Sequence, residues 1–260
     1  MPLRRLKLLA VIPLVVGTVI PDLVRILPDS VLYRIPGFWR LPGSHSVSGI
    51  WLVDLPFGYA MLWALVVLRT PLLSPLWEPH RTFVRAAFDE LLRRRYWYLI
   101  AVPSILIGTL THLGWDAFTH EGHFVNTHAA TLRNDLFPGD DHPLPIYRVL
   151  QYASSVFGMA AIAYWYWSSL EKHLAQRTGY ARVRRNSGSK WKKVFLIVAA
   201  AASLAVGLAA AYQSDNTSFY DTLSVVSKSA IVVFGFLYVI AGLALGAANL
   251  LGASRSIQSD

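Results

Sequence analysis

Long apolar blocks separated by short polar segments dominate this sequence. A helix needs about 20 apolar residues to cross a ~30 Å hydrocarbon core, and most of the blocks are close to that length. The pattern therefore predicts an all-α, polytopic membrane protein with about six transmembrane helices. The six blocks are Leu8–Ile20, Trp51–Leu68, Trp97–Phe118, Tyr147–Leu170, Trp191–Tyr212 and Thr222–Leu251. The first block is short and carries a proline, so we expect it to enter at an angle or to be partly covered by its neighbours.

The charged residues between the blocks predict which side of the membrane each segment occupies. Cations concentrate before the first block, between the second and third, and between the fourth and fifth. These segments hold Arg4, Arg5 and Lys7, six arginines from Arg69 to Arg95, and eight lysines or arginines from Lys172 to Lys193. Because lysine and arginine mark cytoplasmic segments, both termini are predicted in the cytoplasm and the acidic, histidine-containing segments outside.

Composition agrees with a membrane protein and narrows its chemistry. Of 260 residues, 54% are hydrophobic and only 15% are charged. The net charge of +9 does not indicate a nucleic-acid partner, because the cations lie between the apolar blocks; the lipid bilayer is the expected partner. The sequence contains no cysteine, so any metal must be held by histidine, carboxylate or backbone oxygen.

Three regions follow from this pattern. Residues 1–170 are predicted to form a four-helix membrane core with a polar site at its outer face. Residues 171–193 form a basic cytoplasmic loop, and residues 194–260 form two C-terminal packing helices. Small residues in these helices, among them Gly242 and Gly246, allow close approach of helix to helix, so we expect them to pack on each other or to form a homo-oligomer.

The segment THLGWDAFTH, residues 111–120, is the main candidate for chemistry. His112, Asp116 and His120 follow one another at steps of four residues and are expected on one face of a helix. Asp22, in GTVIPD, and His45, in GSHS, are predicted at the same outer level. One cation can then collect all five as ligands from two helices and a loop.

Imidazole and carboxylate ligands together suit a divalent transition metal, with zinc or manganese favoured. Such a metal lowers the pKa of bound water toward ~7 and produces a hydroxide that attacks esters, phosphoesters or amides. Asp54 is a candidate carboxylate for fixing an imidazole tautomer by a hydrogen bond. Glu121 and His123 are candidate general acid or base residues.

Two other interpretations use the same residues. The cluster of histidine and aspartate can be structural, in a non-catalytic membrane scaffold or assembly partner whose helices it steadies. Intramembrane aspartate and histidine also build ion or proton pathways. That third interpretation is disfavoured, because the polar residues collect at one face and do not continue toward the cytoplasm.

A set of ordered motifs in residues 1–158 resembles a known family. The motifs are AVIPL, GTVIPD, GSHS, DLPFG, GTLTHLGWDAFTH and YRVLQYASSVFG. Together they resemble the bacterial membrane-protein family called domain of unknown function 4184. That family is in turn distantly similar to inner-membrane proteins labelled membrane-bound metal-dependent hydrolase.

The resemblance implies a multi-pass protein of the bacterial inner membrane in which Asp22, His45, His112, Asp116 and His120 are the shared polar positions. The resemblance does not supply a substrate; our own hypothesis is a metal-dependent hydrolase that acts on a lipid-linked or amphiphilic substrate at the outer face. One departure is at Lys7, where members of the family commonly have a histidine. If that histidine is a ligand in relatives, the site in this chain has one imidazole fewer.

Overall fold

The computed structural model describes residues 9–26, 41–120, 127–136, 144–176, 190–213 and 219–257. These residues are almost entirely helical, and their only β pairing is an isolated bridge between Asp135 and Pro145, so the all-α prediction is confirmed for this part of the chain. The helices are α1 Val11–Ile26, α2 Val47–Val67, α3 Arg69–Leu73, α4 His80–Leu92, α5 Trp97–Thr119, α6 Ala130–Arg133, α7 Ile146–Ala175, α8 Lys190–Gln213 and α9 Phe219–Ile257.

Four helical segments are long and apolar enough to cross a membrane: Val47–Val67, Trp97–Thr119, Lys190–Gln213 and Val225–Ala248. They correspond to the second, third, fifth and sixth blocks of the sequence pattern. Most of their surface is not covered by other parts of the protein, as expected for helices that contact lipid. The chain is therefore a helical protein of membrane type.

The other two predicted spans form helices but do not meet the same criteria. The apolar part of α1, Val11–Val24, is shorter than a span. Helix α7 has 30 residues, yet it carries Arg148, Gln151 and several serines, tyrosines and tryptophans that lower its hydropathy. Length and composition thus support four of the six predicted spans.

Helix α1 packs closely along α5. A Cβ atom added to Gly17 would overlap the backbone carbonyl of Ile105, and one added to Gly108 would overlap the carbonyl of Leu14. The missing side chains therefore allow the two backbones to come close. The buried Thr109 hydroxyl donates to the Gly17 carbonyl oxygen at 3.1 Å and adds a polar link at this crossing.

Helix α2 is irregular at its beginning. The Ser46 side chain accepts a hydrogen bond from the Gly49 amide and caps the first turn. A π turn, Ile50–Asp54, follows, and the regular α-helix Leu55–Val67 continues from it. Isolated π turns are rare and occur frequently at functional sites.

A small apolar cluster fastens the end of α1 to the beginning of α2. Ile20, Val24 and Val53 are almost fully buried, and three partly buried apolar residues pack against them. Burial of side chains of this size contributes about 1.5–3 kcal/mol each relative to exposure. The cluster therefore holds the C-terminal turn of α1, which contains Asp22, against the π turn.

The chain divides into two compact units. The first comprises Met1–Leu62 and Leu91–Gln176, and the second Trp63–Glu90 and Arg177–Asp260. Within the second unit, Gly207 of α8 contacts the backbone of Val226 in α9, so these two helices pack on each other as predicted.

The contact of the Gly242-x-x-x-Gly246 motif differs from the expected one. Gly242 and Gly246 both approach Pro71 of the short helix α3, within the second unit. Small residues allow this close approach, but the helix that packs against the two glycines is α3 and not α8.

Candidate metal centre

Two histidines and two aspartates meet in the first unit. Asp22 comes from the last turns of α1, His45 from the segment before α2, and His112 and Asp116 from successive turns of α5. Each contributes one possible ligand atom, and these four atoms all lie within 4.8 Å of one another. The structure therefore brings together four of the five residues that the sequence suggested as ligands.

Nitrogen and oxygen donors alternate around this group. His45 Nε2 is 3.6 Å from Asp22 Oδ1 and 3.2 Å from Asp116 Oδ2. His112 Nε2 is 3.7 Å from Asp22 Oδ1 and 3.3 Å from Asp116 Oδ2. Tetrahedral coordination with metal–ligand bonds of about 2.0–2.2 Å separates neighbouring donors by ~3.3–3.6 Å. The four nitrogen–oxygen separations, 3.2–3.7 Å, lie near that spacing.

The orientation of His112 also fits a shared centre better than a simple ion pair. Its Nε2 atom is buried, and within the described part of the chain no hydrogen bond of normal geometry reaches it, although Asp116 Oδ2 is near. A buried polar atom that lacks a hydrogen bond costs about 1–3 kcal/mol. A cation between the four donors would satisfy this nitrogen without rearrangement of the backbone.

Burial differs among the four side chains. His45, His112 and Asp116 are 10%, 15% and 9% exposed, whereas Asp22 is 58% exposed. Three donors thus lie in the interior, where electrostatic interactions are strong, and Asp22 stands at the accessible edge. Two carboxylates and two neutral imidazoles also balance the charge of one divalent cation.

Ser44 fixes the tautomer of His45. The buried Ser44 hydroxyl donates its only hydrogen to the Pro21 carbonyl oxygen at 3.2 Å. Its oxygen lies 3.1 Å from His45 Nδ1 and must therefore accept a hydrogen from that nitrogen. The proton on Nδ1 leaves a lone pair on Nε2, the atom that faces Asp22 and Asp116. Such a partner is common behind metal-binding histidines.

His120, the fifth predicted ligand, lies outside the set of four. Its Nδ1 atom is 3.4 Å from Asp116 Oδ1, the carboxylate oxygen that does not face the other histidines. Its Nε2 atom is 3.1 Å from the Gln151 amide nitrogen on α7. The residue therefore links Asp116 to α7. Gln151 was not predicted from the sequence. An amide side chain inside an apolar block was the signal that could have identified it.

Asp54 does not make the hydrogen bond to an imidazole that was expected from its position. Its side chain is fully buried, and neither carboxylate oxygen has a hydrogen-bond partner among the residues that the structure describes. It is close enough to His45 and His112 to interact with both electrostatically. Glu121 and His123, the predicted acid and base residues, and Lys7 lie outside the described residues.

The family model described as domain of unknown function (DUF4184) matches residues 1–248 of this chain. The chain belongs to the DUF4184 family. This match confirms the resemblance drawn from the ordered motifs and extends it through the C-terminal helices. No curated protein and no solved structure matches the chain.

In this DUF4184 protein, the motifs that carry the resemblance also supply the convergent side chains. GTVIPD contributes Asp22, GSHS contributes Ser44 and His45, and GTLTHLGWDAFTH contributes His112 and Asp116. These motifs lie far apart in the sequence and meet at one place in the fold. The arrangement can hold a cation and is the strongest chemical feature of the described DUF4184 chain.

Proposed function

We propose that this protein binds a divalent transition metal, with zinc or manganese favoured, through Asp22, His45, His112 and Asp116. The observation that carries the proposal is the alternation of nitrogen and oxygen donors at 3.2–3.7 Å. Ligands of these two types suit zinc and manganese, whereas calcium and magnesium prefer oxygen alone.

The reaction proposed for this centre is hydrolysis of a lipid-linked or amphiphilic substrate. The bound metal would supply Lewis acidity and activate water. Ser44 orients His45, and His120 with Gln151 orients Asp116, so the chain itself holds two ligands in fixed directions. The ligand set of imidazole and carboxylate, which suits a metal that activates water, supports this reaction class.

We further propose that the centre lies at the outer face of a bacterial inner membrane. The support is the alternation of basic and acidic connecting segments along the sequence, which favours six passes with both termini in the cytoplasm. In this orientation Glu121 and His123, directly after α5, are outside and remain the proposed acid and base residues. A site at the membrane surface suits a substrate that has an apolar anchor.

Metal content of the purified protein tests the proposal. The full-length chain, prepared in detergent without a metal-binding tag, should retain at least one equivalent of zinc or manganese after reloading and desalting. His112→Ala should fall below a tenth of that value, because it removes a buried donor. His128→Ala, which changes an exposed histidine of a connecting segment, is the matched control and should bind as the wild type does. Wild-type protein without metal above background would exclude the centre.

A structural role is the second candidate, because the same distances also suit histidine–carboxylate ion pairs that tie α1 to α5. In that case His112→Ala should lower the unfolding temperature equally with and without added metal. A metal-bound centre predicts instead that zinc raises the unfolding temperature of the wild type and not that of His112→Ala. Thermal unfolding at both conditions separates the two roles.

A further inference from the structure

Basic and aromatic side chains meet in the second unit, where the segment between α3 and α4 lies beside the beginning of α8. Lys192 Nζ donates to the carbonyl oxygens of Ser74 at 2.6 Å and of Leu76 at 3.3 Å. The Lys193 ammonium lies over the Trp77 ring, 5.6 Å from its centroid. These contacts place two ammonium groups of α8 on the segment that leads into α4.

Arg81 brings a third cation to this group. It lies in the first turn of α4, and its backbone amide donates to the Trp77 carbonyl oxygen at 3.1 Å. Its Nε atom is buried and has no hydrogen-bond partner among the residues that the structure describes. A buried donor without an acceptor is costly, and more so when it is charged. The guanidinium therefore presents a buried N–H group that requires an acceptor.

The three cations have no acidic partner in the described part of the chain. No carboxylate there forms an ion pair with Arg81, Lys192 or Lys193. Glu78 precedes α4, but its Oε2 atom accepts hydrogen bonds from the Thr82 amide and hydroxyl. Lys192 has three hydrogens, of which the two carbonyl oxygens use two. An anion with several acceptor oxygens would supply both the missing charge and the missing acceptors.

The position of the cations on α8 indicates the kind of anion. Lys192 and Lys193 lie at the beginning of a candidate membrane span, Lys190–Gln213. Apolar side chains follow within two turns, and each is more than half exposed: Val194, Ile197 and Val198. Basic residues at the end of a span lie at the level of the lipid headgroups, from which acyl chains extend into the hydrocarbon core. A phosphate that carries acyl chains therefore fits this surface better than a free phosphate ion.

We propose that Arg81, Lys192 and Lys193 bind the phosphate of an anionic phospholipid, whose acyl chains lie along the exposed apolar side chains of α8. A guanidinium offers N–H donors in a fixed fork, and ammonium groups add charge, a combination that suits phosphate oxygens. Basic pockets at the cytoplasmic ends of membrane helices bind anionic headgroups. All three residues belong to the second unit, so this lipid site uses none of the residues of the candidate metal centre.

Lipid binding by the full-length protein tests this site. The protein, delipidated in a nonionic detergent, is titrated with phosphatidylglycerol, and native mass spectrometry counts the bound lipids. The wild type should bind one phosphatidylglycerol about tenfold more tightly than phosphatidylethanolamine, whose net charge is zero. Arg81→Gln should bind it about tenfold more weakly, because charge-assisted hydrogen bonds to the phosphate are lost. Arg85→Gln, at an exposed position one turn further along α4, is the matched control and should bind as the wild type does.

Lys193→Gln changes an exposed side chain and keeps the site testable even if Arg81→Gln does not fold. It should weaken phosphatidylglycerol binding about fivefold, whereas Lys190→Gln, at the same end of α8, should not. Equal binding of the two lipids by the wild type, or equal affinities of Lys193→Gln and Lys190→Gln, would overturn the site. Inorganic phosphate that binds as tightly as phosphatidylglycerol would overturn the assignment to a lipid.

Discussion

A single hydroxyl hydrogen determines which nitrogen of neutral His45 carries the proton. Ser44 has one hydrogen, and it is used on the Pro21 carbonyl oxygen. Its oxygen is then an acceptor for His45 Nδ1, and the other nitrogen is left with a lone pair. The hydrogen bond from Ser44 to Pro21 joins the segment before α2 to α1, so the orientation of the His45 ring is coupled to the position of Asp22.

Ser44→Ala should therefore weaken metal binding without removing a ligand. We expect affinity to fall by about tenfold to a hundredfold, the usual effect of losing a partner behind a metal-binding histidine. Competition with a chromophoric chelator measures this change. Ser48→Ala, at an exposed position four residues along in the first turn of α2, is the matched control. Equal affinities of the two variants would contradict the proposed role of Ser44.

The residue types of the centre were predictable from the sequence, but their grouping was only partly so. Steps of four residues suggest that His112, Asp116 and His120 share one face. Each step turns about 40° beyond a full turn, so His120 lies ~80° around the helix from His112. In addition, α5 ends at Thr119, and His120 has an extended backbone. These two facts place His120 beside Asp116 and outside the set of four.

At the scale of helices, the centre depends on the close crossing of α1 and α5. Asp22 and His112 lie beyond the point where Gly17 and Gly108 bring the two backbones together. Buried polar links, including one from Thr109, hold the crossing. The spacing of donors from different helices is thus set by two glycines that do not contact the donors.

Gly108→Ala should separate these helices and disturb the centre from a distance. The added methyl group overlaps the backbone carbonyl of Leu14, and overpacking of this kind costs about 1–3 kcal/mol. We expect a lower unfolding temperature and weaker metal binding, measured by thermal unfolding and by zinc titration.

Gly114→Ala is the control for this prediction, because it lies on the same helix and a Cβ there has no neighbour within 4 Å. It should keep wild-type metal affinity. If Gly108→Ala and Gly114→Ala behave alike, the crossing does not set the spacing of the donors.

The apolar pattern predicted the four long apolar helices well, because a run of about 20 apolar residues has few alternatives to a membrane helix. It did not predict the π turn at Ile50–Asp54, since one extra residue per turn does not change the pattern of apolar residues in an apolar run. The assignment of α7 as a span stays a prediction, because Arg148 and Gln151 interrupt its apolar residues and composition alone does not decide it.

At the scale of the whole molecule, the distribution of charge predicts the orientation of the protein in the membrane, and the lack of cysteine makes this orientation directly measurable. A single introduced thiol has no background, and a membrane-impermeant maleimide reacts only with thiols on its own side. Asp135 and Lys172 are both exposed and lie on predicted opposite sides of the membrane.

Asp135→Cys should be labelled in intact spheroplasts, and Lys172→Cys only after permeabilisation, because basic segments remain in the cytoplasm. The fraction of protein labelled in each state is the measurement, and the cysteine-free parent is the blank. Reaction of Lys172→Cys in intact spheroplasts would contradict the proposed orientation of α7 and of the centre.

The uneven exposure of the four donors has a kinetic consequence for the proposed centre. Asp22 stands at the rim, while His45, His112 and Asp116 are enclosed. An ion at the proposed centre would then arrive and depart past the Asp22 carboxylate, so this residue would influence the rates of ion binding and release more directly than the three enclosed donors.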